Sequence, residues 1–285
     1  MPVDLSGYIF DYRAGYVREG CELPGFDVLG ENEENTIVTL GGYTAPAQAK
    51  AHTSWADCLY EKLGGAPKVR ILNGCTDGYS SAQEMTRFIR DVILLKPRLV
   101  IILSGFYNFA YKYGLVNDKE KAEFLKTHPF TTPRQIAFLK EITSRFGLGN
   151  DEVYYGEERS VPAFEYWLGH MDIINSLCLE FGLRLKVFLQ PCAFSGSYTI
   201  CESEETAIRQ TYGVDDAQIE TIRSAFQAEY LNAGRAIETR DYIENLSGLF
   251  DADADVYEDA VHVKDRFTAK ISDDIFECSK SGWLI

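Results

Sequence analysis

Two residues near the carboxyl end, Asp259 and His262, have the types and spacing for proton-transfer chemistry. An aspartate three residues ahead of a histidine can orient the imidazole and stabilise its charged form, as a catalytic base requires. Taken alone, His262 reads as a solvated or core-satisfied histidine, although it is one of only four. Three further stretches carry candidate groups: Gly41-Gly-Tyr-Thr44, Asn73-Gly-Cys-Thr-Asp-Gly78 and Gly105-Phe-Tyr-Asn108. Singly, each is a loop, with Gly78 a turn glycine and Asn108 a loop cap. Their common property is position, since each follows directly on an apolar run.

Those runs define the elements that must deliver the groups to one place. Ile37 to Leu40 has the composition of a short buried strand, and Gly41-Gly42 ends it by permitting a sharp turn. Ser54 to Leu63 puts Trp55, Cys58, Leu59 and Leu63 at helical spacing. Lys68 to Asn73 reads as the next strand. Ser80 and Gln83 then have capping-box spacing ahead of a stripe of Met85, Phe88, Ile89, Val92 and Ile93. Arg98 to Leu103 is nearly all apolar, as in a parallel strand buried on both faces. A helix from Ser160 to about Phe181, a strand from Leu183 to Leu189, a helix from Asp216 to Thr239, a short strand from Asp241 to Leu246 and a helix from Asp265 to Cys278 complete the alternation. Strands alternating with helices imply right-handed crossovers in a doubly wound sheet. One domain over residues 1–285 is expected. Residues 1–35 form an irregular lead-in that pairs one strand against the core, residues 106–159 an inserted helical cap with a helix near Pro133 to Phe146, and residues 195–215 a loop or second insertion.

The bulk numbers exclude several classes of function. A net charge of −15 argues against nucleic acid and anionic membranes as partners, because phosphate binding needs clustered Lys and Arg. No apolar run is long enough for a transmembrane helix, and no secretory signal is expected. Seven scattered cysteines without a Cys-x-x-Cys pair suggest neither a disulfide framework nor a zinc site, and fit a reduced, cytoplasmic protein.

Together and in order, the four stretches resemble the SGNH (GDSL-type) hydrolase family, whose blocks carry a serine, a glycine, an asparagine and an Asp-x-x-His pair. The resemblance covers about residues 36 to 278. Asn73-Gly-x-x-x-Gly78-Tyr-Ser-Ser-x-Gln-Glu followed by Leu95-Lys-Pro-Arg-Leu-Val is similar to the second block and its lead into the third, and Asp259-Ala-Val-His262 to the last. The resemblance implies a three-layer α/β/α sandwich on a flavodoxin-like, doubly wound five-stranded parallel sheet. It implies ester hydrolysis or acyl transfer on a small-molecule or carbohydrate ester, without metal or cofactor. His262 would be the general base, Asp259 its orienter and Gly78 an oxyanion donor, with Gly42, Tyr107 and Asn108 as further oxyanion or binding positions.

The pattern departs at two places. Where relatives carry Gly-Gly-Ser-Thr, this sequence holds Tyr43, a phenol with a pKa of about 10 whose oxygen lies far from the backbone. An ungapped match puts Tyr107 at the family's asparagine, and a one-residue slip would put Asn108 there. Three readings of the nucleophile place follow: an inactive protein that keeps the pocket to bind a ligand, His262 activating water or an acceptor hydroxyl directly, or Thr44 moving into the position. Elsewhere, Ser80 and Ser81 read as helix caps, Cys75 as a buried thiol, and Asp251-Ala-Asp-Ala-Asp255 as a solvated acidic turn. The run Phe106, Tyr107, Phe109, Tyr111, Tyr113 reads as packing that could also line a sugar or acyl site.

Overall fold

The computed structural model describes residues 8–11, 15–18, 26–42, 54–65, 68–115 and 162–283. Within the lead-in, β1 (Tyr8–Asp11) and β2 (Gly15–Arg18) pair antiparallel with each other. The central sheet is built from β3 (Asp27–Leu29), β4 (Thr36–Gly41), β5 (Arg70–Asn73), β6 (Leu99–Ser104), β7 (Leu185–Leu189) and β8 (Ile243–Asn245). Its order is β3-β5-β4-β6-β7-β8. The five strands from β4 onward are parallel, while β3 adds to the β5 edge antiparallel. That sixth strand is the one the lead-in contributes. Every residue of β4 and β6 is buried, as expected of strands covered on both faces.

Helices α1 (Trp55–Lys62), α2 (Ser81–Arg87), α3 (Phe106–Lys112), α4 (Ala163–Phe181), α5 (Glu202–Tyr212), α6 (Asp216–Ile237) and α7 (Asp265–Trp283) flank the sheet. One group is α1 with α7, tied by a hydrogen bond from the Ser272 hydroxyl to the Trp55 carbonyl. The other runs α2 to α4 to α6. Among the described residues no helix is long and apolar enough to cross a membrane.

The local signals behave as their chemistry dictates. Ser54 and Asp57 close a capping box on α1, and Ser80 with Gln83 does the same on α2. Two expectations are corrected. Residues 195–215 are not simply a loop, because α5 occupies 202–212, where the backbone of Cys201 and the side chain of Glu204 close its amino end. Residues 106–112 are not part of an insertion's surface: α3 starts directly at the end of β6 and buries Phe106 and Phe109 completely. The helix expected near Pro133 to Phe146 lies outside the described residues, as does Ser160.

Pro162 stands just ahead of α4, at its amino-terminal cap. The orphan amide groups there are met from another helix. Glu229 of α6 accepts from the backbone N–H of Ala163 and Phe164 at 3.0 Å each, from the Tyr113 hydroxyl at 2.6 Å and from Lys112 Nζ at 3.2 Å.

Candidate active site

Strand order decides where the loops meet. From β4 the chain crosses to β5 on one side, then back to β6 on the other, so the crevice beyond the carboxyl ends of β5, β4 and β6 is a topological switch point. Three of the sequence-predicted stretches open into it: the chain after β4 at Gly42, the turn after β5 at Asp77-Gly78, and the start of α3 at Tyr107-Asn108.

Close approach explains Gly42. A Cβ there would lie 2.5 Å from Tyr107 Cδ2 and 2.5 Å from the Tyr79 carbonyl oxygen, so the Tyr107 ring packs directly on the glycine backbone. Gly78 has φ +75°, a conformation that side chains rarely adopt, and its carbonyl accepts from the Tyr111 hydroxyl at 2.8 Å.

His262 arrives from the other end of the sheet on a tight loop after β8. A bridge between Tyr257 and Val263, with Glu258 N–H donating to the His262 carbonyl at 2.8 Å and Lys264 N–H to Val256 at 2.8 Å, folds residues 256–264 back on themselves. Ala193 N–H donates to the Ala260 carbonyl at 2.9 Å and pins this loop to the exit of β7. Glu204 of α5 accepts from Tyr257 N–H at 2.7 Å.

At the tip, Asp259 Oδ1 accepts from the backbone N–H of both Val261 and His262 at 2.8 Å, and Oδ2 meets His262 Nδ1 at 2.7 Å. The carboxylate is therefore fixed by the backbone before it fixes the ring. Burial opposes ionisation of Asp259, but His262 and the two amide donors win and hold its pKa below the ordinary carboxylate range. For His262, burial opposes the charged ring. Asp259 opposes that effect, Asp77 and Glu258 reinforce Asp259, and together they push the pKa up to about 9.

The two candidates for the family's asparagine place diverge. The Tyr107 hydroxyl donates to Asp77 Oδ1, and His262 Nε2 lies 3.8 Å from that same oxygen. Burial first, then Asp77, raises the Tyr107 pKa well above its usual value, so the phenol stays protonated. Asn108 instead turns to α2: its Oδ1 accepts from Ser81 N–H at 3.0 Å and its Nδ2 donates to Ser81 Oγ at 2.9 Å. Ser81 Oγ is also hydrogen-bonded to His170 Nδ1 of α4, 2.7 Å away. Ser81 is thus a buried tie between three elements.

The structure brings Gly42, Gly78, Tyr107, Asp259 and His262 to one edge and turns Asn108 aside. Tyr43 and Thr44 lie outside the described residues. Asp77 is the group that sequence reasoning missed; its only signal was an acidic residue immediately before the glycine of the second block. The acidic turn is also more than solvated, because Asp253 pairs with Lys270 and Asp255 with Lys264 and Arg266 at the start of α7.

No family model matches this sequence, and no curated protein matches it. Solved structures do. A protein described as a GDSL-like lipase from Parabacteroides merdae superposes with a TM-score of 0.50 at 12% identity, covering 87% of this chain and 97% of that one. A catalytic mutant of an acetylxylan esterase from Geobacillus stearothermophilus gives 0.48 at 15% identity over 90% of this chain and 98% of that one. A GDSL-like lipase from Bacteroides thetaiotaomicron gives 0.45 at 15% identity over 87% and 90%. At such identities the likeness is one of fold, an α/β sheet flanked by helices consistent with the SGNH hydrolase architecture.

Proposed function

We propose that this protein acts on acyl esters of a small molecule or carbohydrate, by hydrolysis or by transfer to an acceptor hydroxyl. One observation carries the reading: an imidazole whose Nδ1 is held at 2.7 Å by a carboxylate that two backbone amides fix in place, at the carboxyl edge of a doubly wound sheet. Such a pair handles protons, and ester cleavage needs them moved to the leaving alcohol and from the attacking group. Gly78 N–H belongs to the same reading as an oxyanion donor. Tyr43, in the place of the family's serine, makes the nucleophile position degenerate. A cytoplasmic, reducing setting fits too, since the six cysteines among the described residues are free thiols.

The test is His262→Ala against a panel of short acyl esters. Turnover should fall to the uncatalysed rate, and an unaffected rate would sink the assignment. A second reading, an inactive protein that binds the same class of ligand, draws on Tyr107: a ring rather than a carboxamide faces Gly42. That reading requires no hydrolysis across the panel, with a ligand still raising the melting temperature.

A further inference from the structure

The side of His262 from which a hydroxyl nucleophile would be served faces a carboxylate. His262 Nε2 and Asp77 Oδ1 are 3.8 Å apart, too far for a direct hydrogen bond and a separation that one water can bridge. The Asp77 side chain is 33% exposed and that of His262 20%, so both meet solvent. The Tyr107 hydroxyl donates to the same Asp77 oxygen and fixes it from α3. With Asp259 on Nδ1 and Asp77 toward Nε2, the ring is placed between two carboxylates. It is built to carry a proton, not to take one.

We propose that Asp77 is a catalytic residue, the general base that activates water for direct attack on the acyl carbon, while His262 is the acid that protonates the leaving alcohol. The proposal rests on the ester reading above. As the water oxygen bonds to the carbonyl carbon, its proton passes to Asp77 and the carbonyl π pair moves to oxygen. Collapse of the tetrahedral adduct re-forms the carbonyl and breaks the bond to the alcohol oxygen, which takes the proton from His262 Nε2. Asp77 then holds one proton and His262 lacks one. Relay through the water that next bridges them restores both groups. No oxidant, metal or covalent acyl-enzyme enters the sequence.

The pH dependence separates this from a base role for His262. The groups acting on its charge are Asp259 and Glu258 on its own loop and Asp77 after β5, while Tyr107 on α3 and Tyr212 on α5 lie in the field of Asp77 and Asp259. An acid role keeps turnover level through neutral pH and lets it fall as pH rises past about 9, where His262 loses its proton. A base role requires the opposite, a climb toward that pH.

The experiment follows acetic acid release from a short alkyl acetate, with spontaneous hydrolysis subtracted, for the full chain and for Asp77→Asn and His262→Gln. Loss of a positioned base typically costs about 10²–10⁴, so Asp77→Asn should lose at least about 100-fold in kcat. Quenched intact-mass spectra of the wild type should show no acyl adduct. Should Asp77→Asn fail to fold, the wild-type pH profile decides alone. Undiminished kcat in Asp77→Asn, turnover rising toward pH 9, or an acyl adduct each overturns the role of Asp77, while a loss in His262→Gln keeps the ester reading. Full turnover in His262→Gln overturns that reading itself.

Discussion

At the scale of single residues, the Asp259–His262 pair is local chemistry. Only two residues separate the partners, and the carboxylate is held by the amides between and at them, so their geometry follows from sequence neighbourhood. That is why the pair was legible in the sequence. Replacing Asp259 with Asn removes the charge and presents the wrong hydrogen-bonding group to Nδ1. Turnover is expected to fall by about 10⁴, as when the orienting carboxylate of a catalytic triad is neutralised. The His262 pKa should drop from its raised value, which NMR titration of the ring would show; an unmoved titration would mean that Asp77 alone sets the charge. Asp77 was not legible. Nothing in its own neighbourhood marks it, because its partners His262 and Tyr107 come from a loop after β8 and a helix after β6. The choice between Tyr107 and Asn108 was likewise open until α2 was in place to take the carboxamide.

At the scale of elements, α2 carries tension between packing and charge. Glu84 is buried, with Oε2 accepting from the Ser104 hydroxyl at 2.6 Å and Oε1 without a hydrogen-bond partner among the described residues. Burial raises its pKa to about 8, beyond what the Ser104 contact can offset. Between the unfolded value near 4.5 and about 8, the native state binds the extra proton, so stability falls as pH rises through that window. The fall is on the order of 5 kcal/mol, because each step of one pH across the window removes about 1.4 kcal/mol. Glu84→Gln should flatten the dependence and gain most near pH 8, as read from urea midpoints at several pH values. Parallel profiles for the two proteins would refute the assignment. The strands themselves were readable because apolar runs flanked by glycine admit few alternatives, and right-handed crossovers then order them. Helix α5 was not, since its apolar content is low and its start is fixed by Glu204, whose other contacts are the Tyr198 hydroxyl and the distant Tyr257 backbone.

At the scale of the whole molecule, the acidic excess of −15 bears on solubility rather than on fold, and among the described residues Lys264 and Lys270 engage Asp255 and Asp253. One carboxylate does more for the architecture. Glu229→Ala would strip two backbone amides, a phenol and an ammonium of a shared acceptor, and should cost about 3–5 kcal/mol, measurable as a lowered urea midpoint. A change under about 1 kcal/mol would show that these donors find water instead.

The same carboxylate has a bearing on how such a chain can vary over time. The Tyr113 hydroxyl and the Ala163 amide bond the same oxygen, Glu229 Oε1, at 2.6 and 3.0 Å, so two positions far apart in the chain are held at a single point. The entropy of closing such a gap grows only slowly with the length of chain between its ends. A change in the length of chain between the two donors of Glu229 therefore carries a small entropic cost.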